Sequence, residues 1–166
     1  MRKFLLVIVY LAIFAASPLM AFAAEVKNIE IIEFGIYEAK DINKAKAGTL
    51  ASGVNYQLTD INLVKKTDRI PATLGTRFGM RYLVRGNLEG QTVTVIHRKL
   101  VPGFKQPAKD TIVYQEEYET EASIGNLRYW GYTFREEWEL VPGKWAFQIV
   151  YKGNILAEKT FIVYKP

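Results

Sequence analysis

The chain has 166 residues, 49% of them hydrophobic and 13% aromatic, with one histidine and no cysteine. That is enough for one domain with a real core, and it excludes disulfides, thiolate metal ligands and cysteine nucleophiles. Of the 22 basic residues, Arg2 and Lys3 fall in an N-terminal leader; the other 20 against 17 acidic residues leave a net charge near +3, which gives no argument for a nucleic-acid partner.

Arg2 and Lys3 precede an apolar run from Phe4 to Phe14, Ser17-Pro18 breaks it, and Ala21-Phe22-Ala23 is a small-x-small cleavage site. This is the full secretory pattern, with the cut expected after Ala23. The run is short for a membrane span, which needs about 20 residues, so no stable membrane insertion is expected after cleavage. Export to the periplasm or the exterior of a bacterium is expected, with residues 24–166 as one domain.

In chain order, Val26 to Tyr37 alternates as a strand, with a bulge expected at Phe34-Gly35. Glu38 to Ala47 is charged and lacks an apolar stripe, so it reads as a polar connection before the small-residue loop Gly48 to Gly53. Val54 to Val64 is one bent strand or two, and Thr67 to Gly75 is turn-rich. Arg77 to Arg85 is a strong strand, with Phe78, Met80, Tyr82 and Val84 on one face. Gln91 to Val101 is β-branched, Pro102 to Asp110 reads as a loop and Thr111 to Tyr118 as a strand. Glu119 to Asn126 is acidic and small, and Leu127 to Leu140 is aromatic-rich.

The clearest signal is the last stretch. Trp145, Phe147, Ile149 and Tyr151 share one strand face, and a hairpin at Lys152-Gly153-Asn154 leads into Ala157, Lys159, Phe161 and Val163. A two-residue Gly-Asn loop would turn Phe161 away from Trp145; a three-residue loop pairs Phe147 with Phe161 and keeps the apolar faces together, as a bulge also would. Leu140-Val141-Pro142-Gly143 is either an ordinary hairpin turn or the corner where an immunoglobulin-like sandwich crosses between its sheets. Fibronectin type III domains carry a similar Leu-x-Pro-Gly corner followed by a tyrosine, and Trp145 takes roughly that place.

Strands spaced about 8–12 residues apart with turns between them read as an all-β, immunoglobulin-like or fibronectin III-like sandwich of about seven to nine strands. FGIY at Phe34 to Tyr37, IPATLGTRFGMRY at Ile70 to Tyr82 and ELVPGKWAFQIVYKGNILAEKTFIV at Glu139 to Val163 resemble a bacterial exported family catalogued as domain of unknown function 3859. The likeness spans most of the chain after the leader. Its motifs are turns, glycines and core aromatics, so it implies a fold and no catalytic residue.

Few groups could carry chemistry. His97 follows Val93 and Val95 on a strand face; it could be a general base or a lone ligand, but nothing near it has metal-ligand spacing, which favours a strand histidine. Glu116, Glu117, Glu119 and Glu121 form one acidic group and Glu136, Glu137 and Glu139 another. Two carboxylates about 5–9.5 Å apart across a cleft would suit a glycosidase; a solvated acidic face is the simpler expectation. Arg77, Arg81 and Arg85 stand roughly 13 Å apart in pairs along one strand face. They are either a basic stripe for an acidic partner or cross-strand partners of those glutamates. Tyr129, Trp130 and Tyr132 cannot all point inward, so at least one is expected at the surface, where an exposed Trp or Tyr can anchor a partner or stack on a sugar; the simpler alternative is that Trp130 plugs the end of the core. No cofactor and no metal site is expected. The expected function is a non-enzymatic binding module recognising a protein or an envelope glycan. The alternatives are an assembly factor pairing through a sheet edge, or a hydrolase using paired glutamates.

Overall fold

The computed structural model describes residues 24–46, 50, 52–106 and 111–166; the expected leader, Met1 to Ala23, lies outside the described residues. Among the described residues nine strands form in order: β1 (Val26–Lys46), β2 (Val54–Lys65), β3 (Arg69–Pro71), β4 (Arg77–Gly86), β5 (Thr92–Lys105), β6 (Ile112–Ser123), β7 (Leu127–Thr133), β8 (Gly143–Tyr151) and β9 (Asn154–Tyr164). One sheet has the order β2-β1-β4-β7 and the other β3-β9-β8-β5-β6. The expected all-β, two-sheet architecture is what the chain forms.

Alternation builds the core between the sheets. Phe78, Met80, Tyr82 and Val84 of β4 are fully buried, as are Trp145, Phe147 and Ile149 of β8 and Phe161 of β9. The Phe78 ring meets Trp145, Phe147 and Phe161 at centroid distances of 5.7, 5.5 and 5.3 Å. Leu140 to Gly143 is the sandwich corner: β7 lies in one sheet and β8 in the other. The Trp145 indole N–H donates to the Val141 carbonyl at 3.0 Å and ties the corner to its own following strand.

The final hairpin departs from the expected register. Its loop is Lys152-Gly153, with φ of 48° and 80°, the left-handed pair that suits a tight hairpin. Tyr151 then pairs with Asn154 and Val150 with Ile155, and an extra residue before Ala157 shifts the rest, so Trp145, not Phe147, faces Phe161. The bulge keeps the apolar faces together while moving each pair by two positions.

Other expectations are corrected as well. Glu38 to Lys46 is not a connection: β1 continues through it and pairs with β2 from Ile36↔Lys65 to Lys46↔Val54. Of the two readings for Val54 to Val64, the single bent strand holds: β2 bends with Asp60 at φ 52°. β5 runs through Pro102-Gly103 to Lys105, β6 continues through Glu119 to Ser123, and Arg69–Pro71 pairs parallel with β9. Leu127 to Leu140 is strand only to Thr133 and then makes a short 3-10 turn at Glu137–Glu139.

The extension of β1 reshapes one side of the sandwich. Its first half pairs with β4 and its second half with β2, so the far half and β2 form an arm tied to the outer face of the four-stranded sheet. Arg77, on that outer face, donates to the Ala39 carbonyl and to Asp41, both at 2.7 Å. Arg81 donates to the Ile61 carbonyl and pairs with Glu33. Tyr37 packs its ring on Tyr129 at 4.8 Å.

Trp145→Ala is expected to cost about 3–5 kcal/mol, the range for deleting a large buried aromatic. Trp145→Phe keeps most of the packing but leaves the Val141 carbonyl without its donor, and is expected to cost about 1–3 kcal/mol. Urea unfolding measures both; a Trp145→Phe loss near zero would remove the corner bond from the account.

Candidate functional site

Three edge strands border one groove. β2 and β7 end the first sheet and β6 ends the second. The arm brings β2 round so that Asn55, Tyr56 and Leu58 face Tyr118 and Thr120 of β6 across a floor made by Tyr129, Trp130 and Gly131. The larger lobe holds about 330 Å3; the smaller, about 100 Å3, reaches inward to Lys99, Glu116 and Glu139. Gly131 keeps the floor clear, since a Cβ there would stand 2.0 Å from the Tyr129 hydroxyl.

The tyrosine and tryptophan candidates divide between core and groove. Trp130 is 6% exposed, stacked on His97 at 4.2 Å and tilted against Phe147 at 4.9 Å. It closes the end of the core and shows the groove only its margin. Tyr129 and Tyr132 are half-buried. The Lys99 ammonium lies 3.7 Å from the Tyr132 ring centre, and the Arg135 guanidinium 3.6 Å from that of Tyr56. The ring faces are therefore largely occupied by the protein's own groups.

Beneath the smaller lobe is a buried polar cluster. The Lys99 ammonium meets Glu116 at 2.5 Å, both side chains nearly inaccessible. Burial pushes Lys99 below the ordinary lysine range, against the pull of Glu116 and Glu139. Glu139 accepts from the Tyr132 hydroxyl at 2.7 Å and from the backbone N–H groups of Arg135 and Glu136 at 2.6 and 3.1 Å, closing a capping box at the 3-10 turn. Burial first, then the Glu139 charge, pushes the Tyr132 hydroxyl far above the usual tyrosine range. So the acidic groups are not simply a solvated face. Glu116 and Glu139 turn inward because strand alternation and the cap leave them no other direction, while Glu117, Glu119 and Glu121 stay exposed.

His97 is 3% exposed and bridges two tyrosines, Nε2 to the Tyr82 hydroxyl at 2.9 Å and Nδ1 to the Tyr118 hydroxyl at 3.1 Å. Burial, with the nearby Arg128 charge, lowers it from 6.5 to about 3. It stays neutral at neutral pH as a core histidine. Among the described residues no group of three or more His, Asp or Glu side chains converges as metal ligands would.

A family model described as Domain of unknown function (DUF3859) matches residues 25–163. The chain belongs to this family. A solved immunoglobulin-like protein from Pseudomonas aeruginosa is 26% identical, covers 86% of this chain and 98% of its own, and superposes with a TM-score of 0.55. No curated protein matches the chain. The fold of this family member is therefore immunoglobulin-like, and the family's description assigns no activity.

The arginines of the stripe have acidic partners on β1. Arg77 is 7% exposed and is spent on Asp41, Ala39 and the Thr133 hydroxyl, the last at 2.8 Å. Arg81 is engaged by Glu33 and Ile61, and only Arg85, paired with Glu30 at 2.9 Å, is well exposed. The acidic partners come from β1, not from the Glu116 to Glu121 or Glu136 to Glu139 groups. Sequence reading missed Lys99. Its signal was present: Val93, Val95, His97, Lys99 and Val101 share one face, and a lysine on an inward face requires a buried acid.

Arg77→Gln should cost about 1–3 kcal/mol, because three part-buried acceptors lose a buried charged donor, whereas Arg85→Gln should cost about 0–1 kcal/mol as a surface pair. Urea unfolding compares them, and equal costs would detach Arg77 from the arm. Because the unfolded chain protonates His97 near pH 6.5 and the folded chain near 3, folding stability should fall as pH drops through 6.5. Between pH 6.5 and about 5, above the carboxylate range, the slope should approach about 1.4 kcal/mol per pH unit. His97→Phe should flatten that slope; an unchanged slope would assign it elsewhere.

Proposed function

We propose that this DUF3859 protein is a non-enzymatic binding module, exported to the bacterial periplasm or exterior, that recognises a protein or glycan partner in the groove between β2, β6 and β7. The observation that carries the reading is the convergence of three strands, each at the end of its sheet among the described residues, on one aromatic and polar groove. Sandwich proteins ordinarily cover or blunt such edges, and concave sites with a few convergent polar groups are where ligands bind. The secretory pattern at the start of the sequence supports export.

One observation favours the hydrolase alternative: Glu116 and Glu139 border the same lobe. Their surroundings count against it. A general acid needs a proton to give and a general base a free lone pair. Glu139 accepts on both oxygens from fixed donors, and Glu116 is closed on Lys99.

The test is photo-crosslinking in the living cell. A photoreactive residue replaces exposed Asn55 at the groove rim, or Lys165 at the far terminus as control, in protein expressed with its own leader. A crosslinked envelope component is expected from position 55 and not from 165. No product, or the same products from both positions, would remove the groove as the recognition site.

A further inference from the structure

β6 ends its sheet, and among the described residues β5 is its one paired neighbour. Glu116, Tyr118 and Thr120 border the groove, so alternation puts Glu117, Glu119 and Glu121 on the opposite face, where they are exposed. The register places Arg98 opposite Glu117, Ile96 opposite Glu119 and Thr94 opposite Glu121. Arg98 pairs with Glu117 at 2.8 Å. Glu119 and Glu121 have no ion partner among the described residues.

This charge pattern discriminates between occupants. A second copy of β6 would bring like charges face to face, which destabilises a cross-strand pair. A strand with cations at alternate positions would neutralise the two free carboxylates. The groove side discriminates too. Sugar stacking needs an open ring face, but Trp130 lies between His97 and Phe147 and Tyr56 lies against Arg135. The groove offers hydroxyls, ring margins and strand edges, which suit a main chain better than a pyranose face.

We propose, resting on the groove as the recognition site, that β6 accepts an extended basic polypeptide segment as a sixth strand of its sheet. Lysine or arginine side chains of the segment stand opposite Glu119 and Glu121, and the alternate side chains enter the groove beside Tyr118 and Thr120. Main-chain hydrogen bonds give such a complex its affinity, and alternating pockets give it specificity.

The test starts from a random peptide library displayed against the full-length protein. Enrichment of sequences with Lys or Arg at every second position is expected. A synthetic peptide of the enriched sequence should bind Glu119→Gln/Glu121→Gln about tenfold more weakly and with a shallower dependence on salt. Both residues are exposed, so the variant should keep its urea midpoint, and a variant that does not is replaced by Glu119→Gln alone. Bound peptide should slow amide exchange across 117–121. Absence of alternating basic sequences, equal binding by the variant, or protection confined to β7 would overturn the proposal. Protection of β6 that rises with protein concentration alone would assign the edge to a second copy and overturn it as well. An envelope glycan crosslinked at position 55 and unaffected by the double variant would sink this proposal and leave the groove as a recognition site standing.

Discussion

The ring of Phe78 is the contact on which the two sheets depend. It is fully buried and touches Tyr132 and Phe134 beyond the edge of its own sheet's core, and Trp145, Phe147 and Phe161 across the sandwich. Aromatic pairs at such distances add about 0.5–1.5 kcal/mol each beyond the area they bury, and a chain without cysteine has no disulfide to share the load. The same contacts place β7. With Tyr132 and Trp130 drawn inward, the remaining edge of β7 becomes the groove floor, so the groove is a by-product of how the core closes.

The polar cluster beneath the groove obeys a different logic. A buried ion pair adds little net stability, because desolvation offsets most of the attraction. Lys99 and Glu116 are therefore poor candidates for holding the sandwich together, although removing either would leave the other uncompensated. Their cost is tolerable where the surrounding rings and the Glu139 cap keep each donor and acceptor matched. The result is a fixed set of charges at the inner end of a lobe that Arg135 also lines.

Much of the sandwich was legible because apolar alternation reports directly on a two-sided core. Phe78 to Val84 and Trp145 to Tyr151 announce their faces, and Leu140 to Gly143 reads as a turn or a corner, which the placement of β7 and β8 in different sheets decides. The arm was not legible. Glu38 to Lys46 pairs through its main chain and is anchored by Asp41 and the Ala39 carbonyl, neither of which leaves an apolar period in the sequence. The final register was missed by two positions because a bulge is invisible in a pattern that it preserves. At the site, Tyr129, Trp130 and Tyr132 were found as an excess of consecutive aromatics, but the groove they floor is made by β2 arriving through that unseen arm. The arginines were read as either a stripe or cross-strand partners of glutamates; their acidic partners are Asp41, Glu33 and Glu30 of β1, and only the one for Arg77 lies in the segment taken for a loop.

β1 is continuous in the chain, yet its halves are attached by different forces. The half that pairs with β4 sits on the apolar core through Val26, Ile29 and their neighbours. The far half is moored by Asp41, shared between Arg77 and Arg135 at 2.7 Å each, and by Lys40 with Asp60. Ionic moorings that reach water weaken as salt rises, while apolar burial strengthens with excluded salts such as sulfate. A change of ionic surroundings thus acts on the two halves with opposite sign. β1 passes from one kind of attachment to the other near Ile36, which pairs with both β4 and β2, and the groove wall contributed by β2 lies on the ionically attached side.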